Sequence, residues 1–343
     1  MKLVITVAAT SSYCYAMKAL AGRVTANLVA AGITEPGLAI IAGDGSAKVK
    51  QAAEDWKKAL PENWKIETLA VTKENGTDPN YKEAAQIIIA KLRTAAFNEA
   101  RRIDPDFCWS LDSDTLPPAN GLRCMLDMLR FDNGWYKIST CPYPNDTFLG
   151  GRGTPQHPIA EDFLDTERVL PEELKVEIAA LKKEAAESKA TEPSKEWIER
   201  RQKADEAIRK CPPDGTIWEI IAKHGWRKRG WLEHAYPAIG IGAVVPSDWC
   251  GFGCTLMSRE ALALANFDGY DGKGTEDLYV VWRRWQPAGL RINVIPHCPC
   301  DHVIWARKKG GDEKEFTLLR SFHEVDGEYQ GHLRIQRLPW NEF

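Results

Sequence analysis

In the first 150 residues, short apolar runs alternate with stretches of helical period, and this alternation limits the possible folds more than any other feature of the chain. "KLVITVAA" reads as a buried strand. From about Tyr15 to Ala31 the apolar residues recur at helical spacing, with Gly32 placed to stop the helix. "PGLAIIAGDGS" and "WKIETLAVT" read as two further strands. A long helix follows from about Pro79 to Arg102, with Ile88, Leu92, Ala95 and Ala96 on one side. "DFCWSLDSD" is a fourth strand, followed by a helix through "NGLRCMLDMLR" and a strand at "WYKISTCPYP". Strands alternating with helices imply an α/β fold whose mostly parallel sheet is covered on both faces. Ligands on such sheets bind at the carboxyl ends of the strands. Asp44, Asp112 and Asp114 all fall at such ends.

The fourth strand raises a physical problem. Side chains alternate along a strand, so Phe107, Trp109 and Leu111 share one face while Ser110, Asp112 and Asp114 share the other. Two carboxylates so placed repel unless a cation or water lies between them. A divalent metal with hard oxygen ligands, shared with a diphosphate, answers this. A turn built by Asp and Ser before Pro117 and Pro118 answers it without a ligand. Farther on, "GTEDLYVVWRRW" opens a helix with Glu276 and Asp277. Their charge complements the helix dipole. Either could also serve as a general base, provided burial offsets the dipole's effect on its pKa. His302, in "CDHVIW", offers an imidazole that suits a transition metal.

Residues 151–245 differ in character. "LPEELKVEIAALKKEAAESKA" is a charged helix with a thin apolar stripe of Leu174, Ile178 and Leu181, and "TEPSKEW" restarts a second helix with capping residues. This reads as a helical insertion shaping the acceptor site. It divides an amino-terminal α/β half (1–150) from a second half of the same domain (246–308), and a charged tail (309–343) follows. The chain has 343 residues and a formal net charge of −3, so it carries no global electrostatic footprint for nucleic acid. The opening "MKLVITVAAT" is not a signal peptide and no apolar run is long enough to span a membrane, which points to the cytoplasm. Nine cysteines without small-scaffold spacing fit reduced thiols there.

The order of these parts resembles the GT-A glycosyltransferases, enzymes that move a sugar from a nucleotide diphosphate donor. The resemblance rests on "LVITVAAT", "IIAGDGS", the D-x-D end "LDSD", the strand–helix "GFGCTLMSREAL", the T-E-D segment "TEDL" and the late "DHV". It covers roughly residues 1–145 and 250–305. The T-E-D form is similar to that of the inverting group that includes cellulose and chitin synthases. That group's Q-x-x-R-W motif and membrane helices are missing, which implies a soluble relative. The resemblance implies a hexosyl- or pentosyltransferase that uses a nucleotide sugar, UDP-linked by preference, with Mn²⁺ or Mg²⁺. It implies that Asp44 meets the nucleobase and that Ala8, Thr10 and Ser11 line the nucleotide pocket. Asp112 would contact the sugar or ribose and the metal, and Asp114 and His302 would hold the metal. Asp277 would be the catalytic base with Glu276 beside it. In a retaining enzyme Asp277 would instead orient the substrate.

The acceptor is open among saccharides, small molecules, proteins and a hydroxymethylated pyrimidine in DNA. For DNA, Trp226, Arg227, Lys228, Arg229 and Trp231 in "HGWRKRGW" supply phosphate-binding and base-stacking groups. A solvated loop with Trp anchors explains the same residues. "HCPCDH", with Cys250 and Cys254, has zinc-ligand residue types, but its spacings match zinc knuckles poorly and reduced core cysteines are the expectation. Two further readings are a nucleotidyltransferase, disfavoured because "AATSSYCYAMK" lacks glycines, and a non-catalytic nucleic-acid-binding module.

Overall fold

The computed structural model describes residues 1–71, 81–130, 134–143, 169–187, 194–211, 245–247, 250–272, 275–295, 297–307, 314–320, 323–325, 328–330 and 334–338. Strand β1 (Leu3–Ala9) lies at the centre, buried along almost its whole length. It pairs in parallel with β2 (Leu38–Gly43) on one side and with β4 (Phe107–Asp112) on the other, and β3 (Lys65–Ala70) adds to β2 in parallel. Beyond β4 the order continues through β8 (Cys254–Ser258), β6 (Ile138–Thr140), β9 (Ile292–Val294) and β7 (Val245–Ser247). β8 runs antiparallel to both β4 and β6, while β6 and β9 are parallel to each other. The architecture is α/β with a mostly parallel sheet, as the alternating sequence implied.

Both faces of the sheet are covered. On one lie α1 (Met17–Ala30), α2 (Ala47–Ala59) and α4 (Gly121–Arg130), packed on Ile5, Val7, Trp109 and Leu111. On the other, α3 (Tyr81–Ile103) and a helix formed by α7 (Arg259–Leu264) pack with Phe252 and Trp285 against Val4, Ile40 and Cys108. Apolar side chains on both faces of each central strand account for the unbroken apolar runs in the sequence. Gly32 ends α1 with a φ of 66°, a left-handed conformation that side chains rarely tolerate. Within the insertion, α5 (Glu172–Glu187) and α6 (Lys195–Lys210) form a hairpin. Leu174 and Ile178 meet Ile208 and Cys211, and Arg200 reaches Glu177 and Glu184 at 2.9 Å each. In the tail that the sequence left unassigned, the described residues are all strand. After the short β5 (Thr115–Leu116) comes β10 (Asp301–Arg307), which pairs with β5 and with β11 (Lys314–Arg320), and β14 (Arg334–Leu338) completes a second sheet. β12 (His323–Val325) and β13 (Glu328–Gln330) form a separate hairpin. Among the described residues no helix is long and apolar enough to cross a membrane.

One buried polar side chain holds the frame on the β4 side. Asn27 in α1 donates to the carbonyls of Arg23 (2.9 Å) and Pro118 (2.8 Å), and its carbonyl accepts the Leu122 N–H at 2.8 Å. That N–H is one of the orphan donors at the start of α4, so Asn27 caps α4 from a neighbouring helix. Asn27→Leu strands the buried Leu122 N–H and is expected to cost roughly 1–3 kcal/mol. In urea denaturation the midpoint should fall with the slope unchanged; a midpoint equal to that of the parent protein contradicts this role.

Candidate active site

The carboxyl ends of β1, β2 and β4 lie side by side, with Ala8 in register with both Ala42 and Asp112. The loop after β1 is tied down at three points. The Asp44 carboxylate accepts the Ser11 N–H at 2.9 Å and the Ser46 N–H at 3.2 Å. Burial opposes its charge, but these donors and the two serine hydroxyls outweigh it and lower the Asp44 pKa to about 2. Ser113 donates to the Tyr13 carbonyl at 2.8 Å, and the Tyr15 hydroxyl donates to the Val303 carbonyl at 2.8 Å. Thr10 closes the loop by accepting the Tyr13 N–H at 2.9 Å. Asp44, Thr10 and Ser11 therefore belong to one braced rim at the end of β1.

The two D-x-D carboxylates do not share a strand face. β4 ends at Asp112, and Asp114 falls in the turn leading to β5. The alternation expected from the sequence stops one residue too early for Asp114 to follow it. Each carboxylate has its own partner. Asp114 Oδ2 lies 3.5 Å from His302 Nε2, and both side chains are mostly buried. Two pairings produce this contact. β10 pairs with β5 so that His302 faces Thr115, and the Val303 N–H donates to the Asp114 carbonyl at 2.8 Å. Tyr143 packs edge-on against the His302 ring at 5.7 Å. It fits there because residue 253 is glycine, where a Cβ would lie 2.6 Å from the Tyr143 ring. Burial, and then the charges of Asp112 and Asp277, push the Tyr143 phenol up, so it stays protonated.

Asp112 turns the other way. It accepts from Nη2 of Arg93, whose Nη1 donates to Glu276 Oε1 at 2.6 Å. Arg93 is buried on α3, stacked over the Phe252 ring at 5.0 Å, and its Nε finds no partner. The sequence reading missed this residue, although a signal was there: Ile89, Ala90, Ala96 and Phe97, its helical neighbours, are all apolar. Burial alone would lower the guanidinium's pKa, but Asp112 and Glu276 outweigh it and raise it. No trio of Asp112, Asp114 and His302 gathers within 4.8 Å among the described residues.

α8 (Glu276–Val280) starts at this guanidinium and continues into a wide π turn at Val281–Trp285. Glu276 and Asp277 are both buried. Burial raises the Glu276 pKa to about 7, more than Arg93 lowers it, and burial likewise raises Asp277. Asp277 Oδ1 accepts the Leu278 N–H at 2.6 Å. The Asp277 charge raises Glu276 further, and both carboxyls hold a proton to higher pH than ordinary carboxylates do. The segment Trp226, Arg227, Lys228, Arg229 and Trp231 lies outside the described residues.

No family's sequence pattern matches the chain, and no curated protein does. Solved structures are similar at low identity. The crystal structure of S. aureus TarS aligns with 86% of this chain and 35% of its own at 14% identity and a TM-score of 0.42. The galactosyltransferase LgtC, in complex with donor and acceptor sugar analogs, aligns with 40% of this chain and 46% of its own at 16% identity and a TM-score of 0.25. A CMP:2-keto-3-deoxy-manno-octonic acid synthetase complexed with CTP aligns with 86% of this chain and 89% of its own at 10% identity and a TM-score of 0.32. The chain thus spans about a third of the length of TarS. At these TM-scores the function must be argued from the site itself.

Arg93 tests the electrostatics of the site. Arg93→Leu leaves Asp112 and Glu276 charged without a counter-ion and is expected to cost about 3–5 kcal/mol. The pH dependence is equally specific. A carboxyl whose folded pKa is raised favours the folded state most below its unfolded value. Stability is therefore lost as pH rises from the ordinary Glu value of 4.5 through about 7. Glu276→Gln should flatten that stretch of a stability–pH curve measured by urea denaturation. An unchanged slope contradicts the assignment.

Proposed function

We propose that the chain is a metal-dependent glycosyltransferase that moves a sugar from a UDP-sugar to an acceptor hydroxyl. The observation that carries this reading is the pair Asp114–His302. These two residues, far apart in sequence, have Oδ2 and Nε2 3.5 Å apart at the carboxyl end of the sheet. One carboxylate oxygen and one imidazole nitrogen at that spacing fit a shared divalent cation, and the nitrogen favours Mn²⁺ over Mg²⁺. The cation would supply charge stabilisation to the departing diphosphate.

The other residues then have distinct tasks. Asp44, with Ser11, Thr10 and Ala8, forms the rim that receives the nucleobase. Asp112, oriented by Arg93, contacts the ribose or the sugar. Asp277 takes the acceptor's proton. Its burial supports this role, since a raised pKa offsets the lowering expected at a helix start. Glu276 stays with Arg93 and fixes the start of α8. The insertion shapes the acceptor site.

Thermal-shift measurements with UDP- and GDP-sugars, with and without Mn²⁺, test the proposal. A UDP-sugar should stabilise the protein only with Mn²⁺, by about 2.7 kcal/mol at a hundredfold excess over Kd. Asp114→Ala and His302→Ala should abolish both that stabilisation and donor hydrolysis. Asp277→Asn should keep donor binding and slow transfer by roughly 10²–10⁴-fold. Supplying labelled donor with saccharides or with DNA containing 5-hydroxymethylpyrimidines identifies the acceptor class. For DNA, replacing Arg227, Lys228 and Arg229 by Ala should weaken salt-sensitive binding. Stabilisation that is indifferent to metal and survives Asp114→Ala would overturn the reading.

A further inference from the structure

Of the nine cysteines, five converge with one histidine on the face of the sheet away from Arg93. They form two groups. Cys141, Cys254 and Cys300 are fully buried, with Sγ atoms within 4.8 Å of one another. Cys124, His297 and Cys298 form a second group at the same spacing. The groups adjoin, because Cys298 of one lies two residues from Cys300 of the other. All five cysteines are free thiols. Four separate pieces of chain supply the donors: α4 gives Cys124, the end of β6 gives Cys141, the start of β8 gives Cys254, and the turn before β10 gives His297, Cys298 and Cys300. The expectation of reduced core cysteines holds for these five as it does for Cys108 and Cys250, which pack in the opposite core, and for Cys211 in the helical hairpin. What the sequence did not show is their convergence.

Two orphaned polar atoms mark the same place. Nδ1 of His297 is buried with no hydrogen-bond partner. The indole N–H of Trp109, in the same core cluster as Cys254, is also buried without a partner. Metal ligands usually receive hydrogen bonds from an outer shell of such donors. Tetrahedral zinc with Zn–S bonds of about 2.3 Å puts its sulfurs about 3.8 Å apart, within the spacing seen here. Thiolate-rich donors select zinc over the oxygen-seeking Mn²⁺ and Mg²⁺.

We propose that Cys124, Cys141, Cys254, His297, Cys298 and Cys300 form a structural two-zinc centre, with thiolates shared between the two groups so that each ion has four ligands, independent of the Asp114–His302 pair. The centre would clamp α4, β6 and β8 to the turn that leads two residues later to His302. Cys254 also follows Gly253, whose carbonyl accepts the Asp112 N–H at 2.9 Å. Binding zinc would release the thiol protons to solvent and leave the sulfurs as thiolates.

The test is metal analysis of the full chain purified without added metal. Two zinc ions per chain are expected. Cys254→Ser with Cys300→Ser, and separately Cys124→Ser with His297→Ala, should each lower the zinc content by half or more, while Cys211→Ala should leave it unchanged. Since the double variants can fail to fold, the parent protein supplies a second measurement. Mercurial titration of its thiols should release zinc in step with the reaction, and X-ray absorption at the zinc edge should show a sulfur-dominated shell at about 2.3 Å. Less than 0.1 zinc per chain, iron in its place, an oxygen-rich shell, or full zinc in both folded double variants would overturn the proposal. None of these outcomes depends on sugar transfer, so loss of the transferase reading leaves this one standing, and the reverse holds.

Discussion

A guanidinium with almost no access to water sets the terms for this site. Arg93 has to leave water to occupy its place on α3, a transfer that costs several kcal/mol even after relaxation. Only closely held carboxylates offset that cost, and the fold provides two. Asp112 arrives from the end of β4, and Glu276 arrives from the first residue of α8. One cation therefore fixes the relative position of two chain segments that the sequence separates widely. It also resolves the repulsion that two neighbouring aspartates would otherwise suffer. Asp112 is neutralised from within the protein, which leaves Asp114 to face His302 and whatever binds there. The Arg93–Phe252 stack extends the constraint into the core, where Phe252 meets Phe97, Phe267 and Trp285 edge to face or nearly so.

Around that anchor the site divides by polarity. On one side the loop after β1 is braced by Asp44, Ser113 and Tyr15, all through neutral donors and acceptors or a fully ionised carboxylate. These bonds tie that loop to the chain after β2, to the chain after β4 and to β10. On the other side Glu276 and Asp277 sit in a low-dielectric environment that favours their protonated forms. Donors hold one carboxylate ionised while burial draws two others toward their protonated forms, so the same chemical group is set in opposite states by its surroundings alone.

Much of this was legible in the sequence because it depends on local pattern. Apolar runs with a period of two or none, interrupted by helical spacing, gave the central strands and α1, α3 and α4 nearly to their ends. Asp44, Asp112 and Asp114 could be named because ligands on a parallel sheet bind at strand ends, and His302 because an imidazole suits a transition metal. Arg93 was hidden because a single cation in a long helix normally faces solvent, and only its four apolar neighbours said otherwise. The thiol cluster was hidden for a different reason. Its donors come from four elements, so no spacing along the chain could display them, and the sequence paired Cys254 with Cys250, which the structure puts in the other core. The strands beyond residue 313 escaped because their apolar residues are few and their charges dominate the pattern.

The reversed strand β8 has a topological consequence. Because it opposes β4 and β6, which run alike, β6 ends and β8 begins on the rim that holds Asp112. Between those two points the chain returns to the sheet at β7, on the far edge beside β9. A change in the length of the chain between β6 and β7 would therefore leave the register of β4, β8 and β6 untouched, since none of those pairings passes through it.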